Sequence, residues 1–420
     1  MTFRFTTVRR IFSSLKIPNY RLFFIGQIVS LSGTWMQGVA QAWLILDLTG
    51  SGTALGLVSS LQFLPVLLFG PLGGVLADRF DRRRILYITQ VVASALAVIL
   101  GVLVATDRIE VWMVYVLAVC LGFVYVVDNP ARQSFVHELV GADNLTNAVS
   151  LNSVVVNVAR VIGPGVAGLL IVNVGMAPCF FINAGTYAAS IAALWLMNPE
   201  MLHREARSVR GRGQLMDGLR YVRRTPEVLV PLIMMAVVGT LAYEFQVVLP
   251  LLARFTFEGD AGTYGTMSVL MGAGAVVGGL VTAAMGKQPA TALAWTAIVF
   301  GGVHFAAAWA PNLATMFVSL VILGAVSIRF LAIGNATLQL AAEPAMRGRV
   351  MALWAVAFLG STPIGGPLVG WIGENLGPRI AFGLGGAATL ICGVLAYPAL
   401  KRVVLRGEQE TSIPPPKGPR

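Results

Sequence analysis

The feature that most constrains this chain is a succession of apolar runs, each about twenty residues long, separated by short stretches of Gly, Pro or charge. Twelve can be drawn, over 22–46, 54–77, 85–105, 111–130, 149–172, 178–197, 228–252, 264–285, 291–309, 313–334, 350–373 and 380–400. A run of that length crosses the hydrocarbon of a bilayer as a helix, because a helix satisfies its backbone groups from within the segment. Only 12% of residues are charged and 56% are hydrophobic, against roughly 25% charged in a soluble domain. Lipid and other apolar helices must therefore solvate most of the polypeptide. The expected fold class is an all-α membrane protein with twelve transmembrane helices. The sixth and ninth runs are short, and tilt or flanking residues must complete them.

The basic residues predict the orientation. With both termini inside, all but five of the 30 Lys and Arg fall on the cytoplasmic side; Arg108, Arg254 and Arg379 fall outside, and Arg160 and Arg329 lie within spans. The positive-inside rule then places the chain in the cytoplasmic membrane, multi-pass, with both termini cytoplasmic. The net charge of +11 is spread over short segments between apolar runs, where anionic membrane lipids are its natural partner. No nucleic-acid partner is expected. Cys120, Cys179 and Cys392 lie in separate apolar segments, and His137, His203 and His304 show no metal-ligand spacing. No metal and no cofactor is expected. The chain carries no Gly-x-x-x-x-Gly-Lys-Ser/Thr phosphate loop to couple ATP, and no clustered nucleophile and base that would mark an enzyme.

The second and third runs are joined by Gly70-Pro-Leu-Gly-Gly-Val-Leu-Ala-Asp78-Arg79-Phe-Asp81-Arg82-Arg83-Arg84. The loop is so short that the two helices must be antiparallel neighbours. Gly70 and Gly74, four apart, clear one helix face for close approach. Asp78 stands where the helix leaves the hydrocarbon, beside Arg79. The spacing Gly74-x-x-x-Asp78-Arg79-x-x-Arg82-Arg83 resembles the loop between helices 2 and 3 of the major facilitator superfamily. That family often has a glycine where this chain has Asp81. The resemblance makes Gly70, Gly74, Asp78, Arg79, Arg82 and Arg83, with Arg132 at the end of the fourth helix, a candidate cytoplasmic gate. Asp128 and Arg132 either join that gate or only cap and anchor their helix.

An internal repeat halves the chain. Ala148-Val-Ser-Leu151 followed by Ile162-Gly163-Pro164-Gly-Val-Ala-Gly168 matches Val350-Met-Ala-Leu353 followed by Ile364-Gly365-Gly-Pro367-Leu-Val-Gly370, at one offset of 202 residues. Residues 1–197 and 228–400 are thus expected as two related six-helix halves. The linker 198–227 holds seven arginines, and 213–224 reads either as an amphipathic helix on the membrane surface or as a solvated stretch. Residues 401–420 are expected to form a disordered cytoplasmic tail.

Polar residues inside spans are the candidates for function. Ser30, Thr34, Gln37 and Gln41 form one stripe along the first helix, which must face a water-filled cavity or act as polar glue between helices. Glu244 lies about sixteen residues, or about 24 Å, into the seventh helix, one turn after Thr240. A carboxyl at that depth either couples to protons or forms a structural ion pair. Asp128 and Asp47, at helix ends, are the next proton candidates. Arg160, mid-way along the fifth helix, must pair with an acid, with backbone carbonyls or with a substrate anion. Arg329 can snorkel, and His304 reads as a buried imidazole.

Gly163-Pro164-Gly165-x-x-Gly168 is similar to the Gly-Pro motif on the fifth helix of antiporters of the superfamily. Pro18-Asn19-Tyr20-Arg21-Leu-Phe, Ala131-Arg132-Gln133-Ser-Phe-Val136 with Asn147-Ala148, and Ile162-Gly163-Pro164 resemble the drug-proton antiporter branch that includes the enterobactin exporter and macrolide efflux proteins. The resemblance covers about residues 20–400. It implies a monomer that exports small amphipathic or apolar molecules, such as drugs or siderophores, driven by protons. Arg160, Thr240 and the first-helix stripe would then face the substrate. An importer or lipid flippase on the same scaffold, or a membrane sensor that does not translocate, is the alternative.

Overall fold

The computed structural model describes residues 13–203, 214–286 and 288–412. Within them the chain forms helices α1 (Pro18–Thr49), α2 (Gly52–Arg79), α3 (Arg82–Ala105), α4 (Val111–Val174), α5 (Ala177–Leu196), α6 (Gln214–Arg224), α7 (Pro226–Ala242), α8 (Phe245–Leu251), α9 (Ala261–Ala284), α10 (Thr291–Ala308), α11 (Leu313–Ala341), α12 (Arg347–Leu359), α13 (Thr362–Asn375) and α14 (Pro378–Ser412). Side chains start several of them. Ser51, Asp81 and Asp260 each accept a backbone N–H three residues on, and Asn312 forms a capping box with Thr315.

Ten helical runs are long and apolar enough to cross a membrane by length and composition. One of them, α4, doubles back at Gly141, whose φ of 67° is left-handed, and so makes two passes. The 32-residue α1 packs beside them as a further pass. The twelve passes expected from the sequence are therefore present, as a multi-pass helical bundle.

Four local expectations are corrected. Residues 131–148, read as the loop after the fourth span, are helical on both sides of Gly141. Phe135, Leu139 and Ala148 there are buried in one cluster with Tyr20, Phe23, Leu86 and Leu194, which packs the stretch against the ends of α1, α3 and α5. The seventh pass is not one helix but breaks at Tyr243–Glu244 between α7 and α8. The eleventh likewise breaks at Gly360–Ser361 between α12 and α13. The last helix runs to Ser412, past the start of the expected disordered tail, because Lys401–Arg406 offers no Gly or Pro to stop it. Residues 413–420 lie outside the described residues.

Alternating passes bring the start of α1, the α2–α3 loop, Gly141, the linker and the end of α14 to one end of the bundle, called here the basic end. The turns at Gly50, Asp107, Gly175, Glu258 and Gly377 lie at the other. The halves meet away from the basic end through small residues. A Cβ on Gly52 would come within 2.6 Å of the Gly370 oxygen, and one on Gly56 within 2.1 Å of the Gly366 oxygen. Gly168 lies against Gly262 and Gly265 in the same way. Lipid gives no hydrophobic drive for helices to associate, so contact of this kind rests on close packing. At the far end the hydroxyls of Ser51 and Thr53 donate to Glu374, each at 2.6 Å, and Arg254 pairs with Asp47 at 3.3 Å.

The 202-residue repeat is visible in this packing. Gly163 seats α4 on Ser32 and Trp35 of α1, while Gly365 seats α13 on Thr240 and Glu244 of the seventh pass. Gly168 and Gly370 make the equivalent contacts across the halves, with α9 and α2. Gly163 therefore packs within its own half, and only Gly168 of the expected pair faces the other. Pro164 is carried inside α4 between them.

Candidate functional site

The polar stripe of α1 is largely satisfied by α5. Asn183 donates to Gln37 at 2.6 Å, Thr34 meets the Tyr187 hydroxyl at 3.3 Å, and the Thr34 hydroxyl donates back to the Ser30 carbonyl. Ser30 and Gln41 are buried as well. For Thr34 and Gln37 the arrangement is that of polar glue inside the first half, not of a cavity wall.

A second polar cluster lies nearer the basic end. Asp128 accepts from Thr89 at 2.7 Å, from Gln90 at 3.1 Å and from Arg132 Nε at 3.0 Å, and Arg132 also donates to Gln27. Asp128 is 3% exposed, yet both its oxygens have donors, which is what an ionised carboxylate needs in such a place. A cavity of about 10 Å³ borders Gln27, Gln90 and Arg132, about the space of one water.

Of the expected gate, Arg82 pairs with Glu138 at 2.6 Å, and Arg83 donates to the carbonyls of Leu194, Trp195 and Met197 at the end of α5. These contacts, like Arg132–Asp128, stay within the first half. Arg79 is exposed and Asp78 half-buried. Gly70 has open space around it, whereas Gly73 is the residue that admits a neighbour, with the Val126 carbonyl against its Cα. Gly74 is buried. Gly73 thus shares the buried glycine face with Gly74.

Two ionisable groups occupy the centre. Arg160 stacks on Trp35, its Cζ 5.0 Å from the ring centroid, and its Nε is shut from solvent without a partner. Glu244 sits in the break between α7 and α8, 5% exposed. Its Oε1 lies against Gly365 of α13, the helix that opens at Thr362, and has no hydrogen-bond partner. The two do not pair with each other: among the described residues neither has an ion-pair partner. The repeat relates them, because Thr362 stands 202 residues after Arg160. Thr240 donates back to Ala236 along its own helix. Asp47 is exposed and committed to Arg254.

Sequence reasoning missed the aromatic wall behind this centre. Tyr243 packs on Phe245, Phe300 and Phe358, and its hydroxyl donates to the Ser327 carbonyl at 2.7 Å. His304 is enclosed by Phe245, Phe300 and Phe382, with both ring nitrogens buried and without partners. Only the residue types carried a signal, because the rings come from four separate helices and the break at Tyr243.

The profile of a family described as transmembrane secretion effector matches residues 10–416. The chain is 28% identical to the multidrug efflux pump Tap of Mycolicibacterium fortuitum, over 89% of this chain and 94% of that protein. It is 25% identical to macrolide efflux protein A of Streptococcus pyogenes, over 92% and 98%. The fold is similar to that of a bacterial homologue of the human lysosomal transporter Spinster, with a TM-score of 0.70 at 15% identity over 95% of this chain and 99% of that one.

Proposed function

Because the chain belongs to the transmembrane secretion effector family of major facilitator transporters, we propose that it is an exporter of small amphipathic or apolar molecules, such as drugs or siderophores, driven by inward proton movement. The family and fold are those of membrane transporters, and relatives named for efflux of drugs and macrolides support the outward direction. The observation that carries proton coupling is Glu244: a buried carboxyl, without a counter-ion among the described residues, set in the joint of a broken helix. Such a group exchanges its proton when the two halves rock and its access changes.

In this reading the basic end faces the cytoplasm, and Gly52, Gly56, Gly168 and Glu374 hold the outer end shut in the state described above. Rocking would open that end and bring Asp78, Arg79, Arg82, Arg83 and Arg132 toward the second half as the inner gate. Arg160 and Thr240 line the path between the halves. Asp128, satisfied by four donors, serves as a fixed anchor beside the gate rather than as the proton carrier. Cells lacking the protein should accumulate a fluorescent dye that expression removes, and an uncoupler should abolish the removal. Dye levels indifferent to expression would favour the membrane sensor, and expression-dependent uptake would favour an importer.

A further inference from the structure

We propose that the central site selects substrates bearing an anionic group, which the Arg160 guanidinium holds against the face of Trp35. The inference rests on the transporter reading and names the substrate class of that site. Arg160 lies fourteen residues before the end of α4 at Val174, about 21 Å along the helix and so deep in the hydrocarbon. A guanidinium at that depth calls for a counter-charge. Among the described residues no acid pairs with it.

The Trp35 ring satisfies the flat face of the guanidinium by a cation–π contact. It does nothing for the N–H edge, where Nε is buried and unpartnered. Ser32, one turn before Trp35 on α1, has a buried hydroxyl oxygen that is also unpartnered. Gly163, one turn after Arg160, closes on the Ser32 carbonyl and the Trp35 Cβ, which seats this part of α4 against α1. A carboxylate, sulfonate or phosphate would take charge-assisted hydrogen bonds from the N–H edge of the guanidinium.

A cationic molecule meets the opposite circumstance. It would approach an uncompensated positive charge in a medium of low dielectric. The 202-residue repeat puts Arg160 and Thr362 at matching positions.

The test is equilibrium binding to the purified full-length chain, read by fluorescence polarisation with two xanthene dyes of opposite charge, carboxyfluorescein and rhodamine 6G. The parent should bind carboxyfluorescein saturably and more tightly than rhodamine 6G. Arg160→Gln should bind carboxyfluorescein about tenfold or more weakly, with Arg160→Lys intermediate. Absence of carboxyfluorescein binding, a preference for rhodamine 6G, or an unchanged affinity in folded Arg160→Gln would overturn the proposal. The comparison of dyes on the parent stands even if the variants do not fold. Flux of the same dye in vesicles is a separate readout: binding without movement would contradict export and leave the anion site in place.

Discussion

Gly56→Ala should prise open the end of the bundle opposite the basic loops. An added Cβ at Gly56 would lie 2.1 Å from the Gly366 oxygen, whereas ordinary contact begins at 3.4 Å. Helices α2 and α13 must then part by the difference, about 1.3 Å, since both atoms belong to rigid backbone. Parting them breaks the Ser60 bond to the Pro363 carbonyl and strains those of Ser51 and Thr53 to Glu374. At about 0.6 kcal/mol for an interhelical bond in a membrane, the three amount to roughly 2 kcal/mol. Overpacking contributes about 1–3 kcal/mol more. A shift of about 3 kcal/mol changes the ratio of the two states roughly a hundredfold. Spin labels at Asp107 and Asn312, one on each half, in a chain without Cys120, Cys179 and Cys392, would report the distance across that end. The long-distance population should rise in Gly56→Ala. Gly70→Ala, with nothing within 4 Å, should leave the distribution as in the parent. An unchanged distribution in folded Gly56→Ala would refute the reasoning.

Other outcomes follow from the same contacts. Asp128→Asn leaves the half-buried Arg132 without its carboxylate and should cost about 1.5–3 kcal/mol of stability, seen as a lowered melting temperature in detergent. Single cysteines at Ser51 and Asn312 should label with an impermeant thiol reagent from outside intact cells, while one at Ser208 should not; labelling of Ser208 would reverse the proposed orientation. Asp78→Asn should reduce transport while insertion and folding remain normal, measured as flux per folded molecule, and a parental rate would confine the basic loop to a topology signal.

What the sequence made legible follows from how strongly lipid constrains a chain. A pass must be about twenty apolar residues, so the spans could be counted even where only the non-helical Gly141 parts one helix from the next. The repeat also held, since Gly163 and Gly365 perform the same seating in both halves. Breaks at Tyr243–Glu244 and Gly360–Ser361 were passed over because each run is long and apolar enough as a whole to read as one span, although Gly360-Ser-Thr-Pro363 carries a helix-stop and helix-start pattern. The stripe of Ser30, Thr34, Gln37 and Gln41 told which face of α1 is polar but not which helix it meets. Asn183 and Tyr187 on α5 answer that face, and they are separated from it by some 150 residues of chain. Arg160 was recognised as a residue needing a partner. That the structure supplies Trp35 and no acid is a fact of tertiary placement.

The central claim, that Glu244 carries the coupled proton, is tested most directly by Glu244→Gln in proteoliposomes. The amide keeps the shape and the hydrogen-bonding capacity but has no proton to exchange. With an imposed pH gradient the variant should fail to accumulate dye, while exchange of dye between equal concentrations on the two sides, which needs no net proton movement, should continue. Full gradient-driven accumulation by folded Glu244→Gln would contradict the account and place the coupling group elsewhere.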